Sequence, residues 1–422
     1  MTALPPLESA VSEQLARIGR ADVLVGIPSF NNERTIGHVV RAVVAGLAKH
    51  FPGVRAVLVN SDGGSTDRTR EIVERTETGS LEEILVDAAP AAADRLVALY
   101  EGVPGKGSAL RTIFRIAAEL QASACCVVDS DLRSITPEWV QLLLAPVLKF
   151  GYEFVSPLYS RHRYDGTITN TIVYPLTRAL YGKRIRQPIG GDFGFSGALA
   201  SRFLDYERWE GPVARYGIDI FMTTTALAEG RRFCQAFLGA KLHDPKDPGA
   251  DLQPMMVEVV STLFELMERH EKSWAEVSGS EEVPRFGFSY AVGLDPVPVK
   301  MDRLTTIFRQ ASHDLSPVWE GFLSPGSLDA VREAAAASEP SFSDEAWTRI
   351  LFEAAAGWRA RRLPGETLIR SLVPLYLGKV ASFVSETREG TDEQAEERLG
   401  ALAAVFERDK DVLRELWRAG AR

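Results

Sequence analysis

Two carboxylates separated by a single residue, Asp129 and Asp131, close the apolar, β-prone run Ala124-Cys125-Cys126-Val127-Val128. Neighbouring acids repel each other, and burial raises their pKa. A hard divalent cation, Mg²⁺ or Mn²⁺, removes that cost by binding carboxylate oxygens, and the same ion can hold a diphosphate. A buried strand that ends in Asp-x-Asp places both acids at the carboxyl edge of a sheet, where open α/β folds bind ligands. A solvated turn with an N-capping aspartate would use the same residues, because Ser134, Pro137 and Glu138 open a helix just beyond.

The elements that must position these acids lie upstream. Asp22 to Ile27 reads as a strand, followed by the loop Pro28-Ser29-Phe30-Asn31-Asn32-Glu33. Arg34 to His50 is helical, with Ile36, Val39, Val40, Val43 and Leu47 on one face. Val54 to Asn60 is a second strand, which ends in Ser61-Asp62-Gly63-Gly64-Ser65-Thr66-Asp67, and the helix after it runs to Arg75. Leu81 to Val86 is expected as a third strand. Gly105-Lys106-Gly107 precedes a helix from Ser108 to Leu120. This alternation predicts a right-handed parallel α/β sheet. It brings the loops around Asn31, Asp62 and Asp129 to one edge. Such an edge suits a nucleotide: Asp62 to accept from a base or ribose, Lys106 to meet phosphate charge. No G-x-G-x-x-G follows the first strand and no G-x-x-x-x-G-K-[ST] occurs, so the dinucleotide and P-loop sites are excluded.

The chain has 422 residues, 45% of them hydrophobic and 25% charged, which fits a globular protein of two domains. A net charge of -9 argues against a nucleic-acid or anionic-membrane surface. No uninterrupted apolar run is long enough to span a bilayer, and residues 1–20 lack the basic start and apolar core of a signal peptide. Cys125, Cys126 and Cys234 do not suggest a disulfide framework or a zinc site. A cytoplasmic protein is expected.

In combination, P-S-F-N-N-E, V-N-S-D-G-G-S-T-D-R-T, G-K-G and V-D-S-D resemble nucleotide-sugar-dependent glycosyltransferases of the GT-A fold. Tyr159-Ser160-Arg161, Asp165 to Thr169, Gln187 to Asp192, Tyr216 to Ile220 and Lys241-Leu242-His243 narrow the likeness. They resemble the mannosylglycerate synthase and glucosyl-3-phosphoglycerate synthase group, which are retaining enzymes. The resemblance covers about residues 22–247. It implies a Rossmann-like mixed, mainly parallel sheet and an NDP-sugar donor (GDP-mannose, GDP-glucose or UDP-glucose). It implies Asp129, Asp131 and His243 around Mg²⁺ or Mn²⁺. Pro28, Asn31, Glu33, Asp62, Lys106 and Ser130 fall at donor-nucleotide positions. Gly190 and Gly191 match a tight loop beside the sugar or acceptor. Asp192, where relatives carry Glu, and Asp219 match acids near the reacting centre.

For the acceptor, the resemblance places a glycerate carboxylate on Arg161 and Thr169. The phosphoglycerate enzymes carry an Arg two residues before that Thr; here the position is Thr167. The departure favours D-glycerate or a related small acid over a phosphorylated acceptor, although Arg161 and Arg163 together could serve a phosphate. Three parts are expected: a helical segment over 1–21, a GT-A domain over 22–247 and an all-α extension over 248–422. The extension should hold helices near 251–272, 300–311, 327–337, 344–361, 366–387 and 392–418. It carries no catalytic signature and is expected to close the site or build a homodimer. A nucleotidyltransferase is the competing enzyme class, but Pro28-Ser29-Phe30-Asn31 replaces its Gly-rich basic loop. A non-catalytic nucleotide-sugar-binding protein is the other alternative.

Overall fold

The computed structural model describes residues 7, 9–76, 94–100, 103–242, 252–290, 294 and 296–420. The strands are β1 (Val23–Ser29), β2 (Ala56–Asp62), β3 (Asp94–Leu99), β4 (Ala124–Val127), β5 (Phe154–Ser160), β6 (Phe193–Ser196), β7 (Phe233–Ala240) and β8 (Arg285–Phe286). The helices up to β7 are α1 (Ser9–Ile18), α2 (Ile36–His50), α3 (Thr69–Arg75), α4 (Lys106–Glu119), α5 (Pro137–Phe150), α6 (Tyr174–Tyr181), α7 (Gly197–Leu204) and α8 (Ile218–Ala228). Beyond it come α9 (Gln253–Arg269), α10 (Glu271–Trp274), α11 (Met301–Asp314), α12 (Ser316–Trp319) and α13 (Pro325–Ala336). The chain closes with α14 (Asp344–Arg359), α15 (Gly365–Thr387), α16 (Asp392–Arg408) and α17 (Lys410–Gly420).

Two units emerge. The first comprises Met1–Ser160, Ile189–Asp244 and Val283–Val292; the second comprises Arg161–Pro188, Pro245–Glu282 and Gly293–Arg422. The chain therefore leaves the first unit after β5, contributes α6 to the second, and returns for β6. A linear division at about 247 does not describe this exchange.

The first unit is built on one sheet in the order β3-β2-β1-β4-β6-β5-β7-β8. All neighbours are parallel except at β6, which is antiparallel to both β4 and β5. This is the mixed, mainly parallel α/β sheet expected. β1 is buried along its whole length, as strands covered on both faces are. Val25, Ile27, Val39, Val43, Leu58, Cys126, Val140 and Leu143 share one core with it. α4 lies so close that a Cβ at Gly26 would sit 2.6 Å from Ile113. The strand expected over 81–86 lies outside the described residues; β3 is the strand that pairs with β2, from Val57 opposite Asp94 to Asp62 opposite Leu99.

Parallel strands put their carboxyl ends on one edge, so the loops after β1, β2, β4 and β7 collect there. An antiparallel strand presents its beginning at that same edge. Val127 is opposite Phe193, so Asp192, one residue before β6, arrives beside the residues that leave β4.

The second unit is helical among its described residues. The expected helix over 392–418 is two helices, broken at Asp409. α15 is the one described helix with the length and hydropathy to cross a membrane. It carries Glu366, Arg370 and Lys379 and is mostly buried among its neighbours.

Candidate active site

The sheet edge holds a chain of alternating charges. Lys106, the first residue of α4, reaches Oδ1 of Asp129 at 2.8 Å and Oδ1 of Asp219 at 3.2 Å, with the Gly191 carbonyl at 3.3 Å. Lys241, the residue after β7, donates to Oδ2 of Asp129 at 2.7 Å, Oδ2 of Asp192 at 2.7 Å and the Gly190 carbonyl at 2.9 Å. Its ammonium also lies 5.2 Å from the centre of the Tyr159 ring, within cation–π range. Sequence reasoning left Lys241 and Tyr159 out of the site. The available signal was a cation directly following a buried strand, the counterpart of the acids that follow β4.

Burial opposes the charge on each of these groups, and the partners decide the outcome. Burial raises the Asp129 carboxyl, but Lys106 and Lys241 overrule it and hold the group well below the carboxylate range. Lys106 pays the same desolvation, yet Asp129 and Asp219 keep it protonated far above an ordinary lysine. Asp192 is raised by burial and by the charge of Asp129, against the pull of Lys241. Asp219 is raised chiefly by burial, with Lys106 opposing.

The expected roles divide accordingly. Asp192 is fully buried, and its oxygens are taken up by the Asp129 N–H at 2.7 Å, by Lys241 and by the Tyr159 hydroxyl. It cannot face a substrate, so its expected catalytic role is corrected to a positioning one. Asp219 stands in the first turn of α8, where the helix dipole favours an acid. Its Oδ1 makes an ion pair with Lys106 but no directed hydrogen bond, so it retains acceptor capacity. Gly190 and Gly191 supply carbonyls to the two lysines. Gly191 has φ +92°, and a Cβ there would overlap Oδ2 of Asp129 and lie 2.7 Å from the Lys241 ammonium. Their tightness serves the charge network itself.

Asp131 differs from Asp129. It is half-buried and has no side-chain hydrogen bond or ion pair among the described residues. No three His, Cys, Asp or Glu side chains gather as a metal cluster among those residues, and His243 lies outside them. The donor chemistry nevertheless fits a hard cation at Asp131, because such ions bind through one or two carboxylates plus substrate phosphates. At Asp129 each oxygen already meets an ammonium, Oδ1 that of Lys106 and Oδ2 that of Lys241. Among the described residues the two ammonium groups of this edge are shared by three carboxylates, Asp129, Asp192 and Asp219, with Asp131 standing outside their ion pairs.

The loops after β1 and β2 are stitched together by the residues expected to hold the nucleotide. Asn31 takes a left-handed φ of 54°, which Asn tolerates better than most residues. Its N–H donates to Ser65 Oγ at 2.8 Å, and its Oδ1 accepts from the Thr66 N–H at 2.9 Å. Glu33 pairs with Arg68 at 3.5 Å. Asp62 is fully buried and accepts from Gly64 N, Ser65 N, Ser65 Oγ and Ser29 Oγ. Four donors leave no room for a base or ribose, so its expected nucleotide contact is corrected to loop construction. Pro28 is buried within β1. Ser130 donates to Asn32 Oδ1 at 2.8 Å, and its carbonyl accepts from Thr35 Oγ1 at 2.7 Å, which ties the β4 loop to the β1 loop. What this edge leaves open is Phe30, 59% exposed. A Cβ on Gly63 would lie 2.9 Å from the Tyr100 hydroxyl and 3.2 Å from Phe30. Two aromatic rings thus flank a bare backbone.

Arg161 and Thr169 belong to the second unit. Arg161 is 3.7 Å from Asp165; Thr169 is buried at the start of a π-helical turn, Thr169–Val173. Thr167 is fully buried and 2.5 Å from the Tyr376 hydroxyl. Arg163 is committed to Asp392 at 3.2 Å and to the Thr387 and Gly390 carbonyls.

No family model and no curated protein matches the chain. Among solved structures it is similar to glucosyl-3-phosphoglycerate synthase from Mycobacterium tuberculosis in complex with Mg²⁺ and uridine diphosphate. The identity is 23% and the TM-score 0.45, over 62% of this chain and 84% of that one. The same enzyme with Mn²⁺, uridine diphosphate-glucose and glycerol 3-phosphate is similar at 23% identity and a TM-score of 0.44, over 64% and 87%. A structure described as a mycobacterial protein is similar at 23% identity and a TM-score of 0.44, over 63% and 80% of the two chains.

Proposed function

We propose that the chain is a metal-dependent glycosyltransferase that moves a hexose from a nucleoside-diphosphate sugar to a hydroxyl of D-glycerate or a related small acid. The observation that carries this reading is an ammonium, Lys106, held against the acids of one sheet edge, with the half-buried carboxylate of Asp131 in the loop that follows β4 at that edge. One meets phosphate charge directly; the other suits the cation that bridges to it. The exposed Phe30 and the bare backbone of Gly63 beside Tyr100 support a flat base at the outer end of the same edge.

Asp131 would hold the ion together with the donor's phosphate oxygens. His243 is the second proposed protein ligand. Leu242, just before it, is tied to the segment after Asp131: its N–H donates to Ser134 Oγ at 2.9 Å and its carbonyl accepts from Arg133 N–H at 3.0 Å. When bound, the ion supplies Lewis-acid stabilisation of the departing diphosphate. Lys106 meets the same developing charge as a preorganised donor. The bond from the anomeric carbon to the diphosphate oxygen breaks and the acceptor oxygen bonds to that carbon. The acceptor's proton passes to the departing phosphate oxygen. Retention of configuration is what the resemblance implies.

The acceptor's carboxylate is assigned to Arg161 and Thr169. A non-phosphorylated acid is favoured because Thr167 is sealed against Tyr376 and Arg163 is spent on Asp392 and two carbonyls. The test is a turnover screen with Mg²⁺ or Mn²⁺ that crosses GDP-mannose, GDP-glucose and UDP-glucose with D-glycerate and 3-phosphoglycerate. It reads released nucleoside diphosphate. Product with D-glycerate is expected, and Arg161→Ala should raise the KM for it while leaving the donor KM unchanged. Turnover confined to 3-phosphoglycerate would overturn the acceptor assignment. Metal-dependent nucleotide binding without turnover against any acceptor would favour a binding protein instead.

A further inference from the structure

We infer that Asp392 and Glu396, two acids of α16, set how much negative charge the acceptor can carry. Each neutralises an arginine beside the segment proposed to bind the acceptor, so a singly charged acid is preferred to a phosphorylated one. The inference rests on the reading of Arg161 and Thr169 as the carboxylate site above, and it names the residues that give that site its selectivity.

Every residue concerned lies in the second unit. Arg163 follows Arg161 by two positions. It meets Asp392 at 3.2 Å and donates to the carbonyls of Thr387, at 2.8 Å, and Gly390. Arg186 meets Glu396 through Nε at 2.5 Å and Nη2 at 2.9 Å, the two-pronged fit of guanidinium to carboxylate. The same Nη2 donates to Oδ1 of Asn170 at 2.9 Å, and the Asn170 amide donates to the Asp165 carbonyl at 3.2 Å. Asn170 adjoins Thr169, so both arginines flank the proposed seat of the carboxylate. Asp392 and Glu396 stand four residues apart, on one face of α16. Tyr164, the neighbour of Arg163, packs against Phe383, Ala395 and Leu399. The helix is thus fixed to this segment by apolar contact as well as by charge.

Burial is unequal across the two pairs. The arginine side chains are 19% and 15% exposed, and their acids 53% and 58%. A neutral isostere at either acid therefore removes charge with little loss of packing. The enclosed guanidinium is then left uncompensated, which is costly, and phosphate is an anion whose geometry it matches. Asp392 and Glu396 act through Arg163 and Arg186; they are positioning residues whose loss should widen the acceptor range.

The experiment compares kcat/KM for D-glycerate and 3-phosphoglycerate in the full chain and in Asp392→Asn, Glu396→Gln and the double variant. Wild type should prefer D-glycerate. Each single change should shift the ratio toward 3-phosphoglycerate by about tenfold or more, the scale of one charge-assisted hydrogen bond, and the double variant should shift it further. The donor KM should not move. Asp392→Glu keeps the charge and should keep the wild-type ratio. A merely structural role would lower both acceptors alike, and an unchanged ratio in the variants would overturn the inference, as would a wild type that already prefers 3-phosphoglycerate. If Asp392→Asn does not fold, Glu396→Gln decides alone. Wild-type protein with no turnover of either acid would sink the functional reading instead. Calorimetric binding of 3-phosphoglycerate then decides the inference separately: tighter binding by the double variant upholds it, and equal binding overturns it.

Discussion

Lys106→Met removes an ammonium that two acids, Asp129 and Asp219, hold in place, so its effect should be catalytic and structural at once. Turnover should fall by about 100-fold or more, the scale for losing one preorganised donor to developing charge. Its companion measurement is the donor KM, which should rise less than kcat falls; an unchanged kcat would remove Lys106 from the reacting centre. Gly191→Ala tests the other requirement, space. Its left-handed backbone alone costs a non-glycine residue about 1–3 kcal/mol, and the added methyl overlaps the Asp129 carboxylate. The expected outcome is a protein with native circular dichroism, a modestly lowered Tm and no measurable turnover. Full activity would mean that the close approach of Asp129 and Lys241 is dispensable. At this scale the sequence spoke clearly about residue types and poorly about their duties. Asp129, Asp192, Asp219 and Lys106 do converge. Asp62 and Asn31 turned inward because short polar side chains in turn-rich loops bond the nearest N–H groups before they bond a ligand. Lys241 was hard to see because its partners lie 112 and 49 residues away in the chain.

Elements decide whether these side chains arrive together. β1, β2 and β4 were legible because buried parallel strands read as continuous apolar runs between turn signals. The antiparallel entry of β6 was not legible. Four residues, Phe193 to Ser196, carry no mark of direction, and it is direction that delivers Asp192 to the edge. The start of α4 is the second device. Gly105-Lys106-Gly107 suggested a helix start beside phosphate, but the glycines serve a different purpose: a Cβ on Gly107 would overlap the Val213 carbonyl, and one on Gly105 would lie 2.6 Å from that of Ala214. The turn Pro212–Ala214 therefore fixes where α4 begins and where Lys106 points. Gly107→Ala should push the helix start off that turn and destabilise the protein by about 1–3 kcal/mol, as overpacking does. Urea unfolding checks the stability. The sharper reading is a kcat loss exceeding that of a surface glycine change such as Gly326→Ala, where an added Cβ meets nothing within 4 Å, and equal losses would deny the turn its positioning role.

Across the whole molecule, sequence patterning located the helices of the second half but not the exchange of α6 into the second unit, because a helix packs by its apolar face and sequence order places no limit on its partner. One residue shows how that unit closes on distant segments. Lys410 opens α17 with its side chain buried and donates to the carbonyls of Leu180 at 3.0 Å, Trp274 at 2.8 Å and Val277 at 2.8 Å. It thereby caps the ends of α6 and α10, whose last carbonyls lack helical partners. Burial, with Arg414 alongside, pushes its ammonium down to about 7, against ~10.4 for an unfolded lysine. Between those values the unfolded chain binds the extra proton, so stability must rise with pH across that window. Lys410→Met should abolish this slope and, by orphaning the carbonyls, cost about 1–3 kcal/mol at every pH. Urea midpoints at pH 7 and pH 9 for both proteins separate the two effects. A wild-type midpoint that stays flat or falls with pH would show that the three carbonyls keep Lys410 charged throughout, with its role that of a fixed cationic cap.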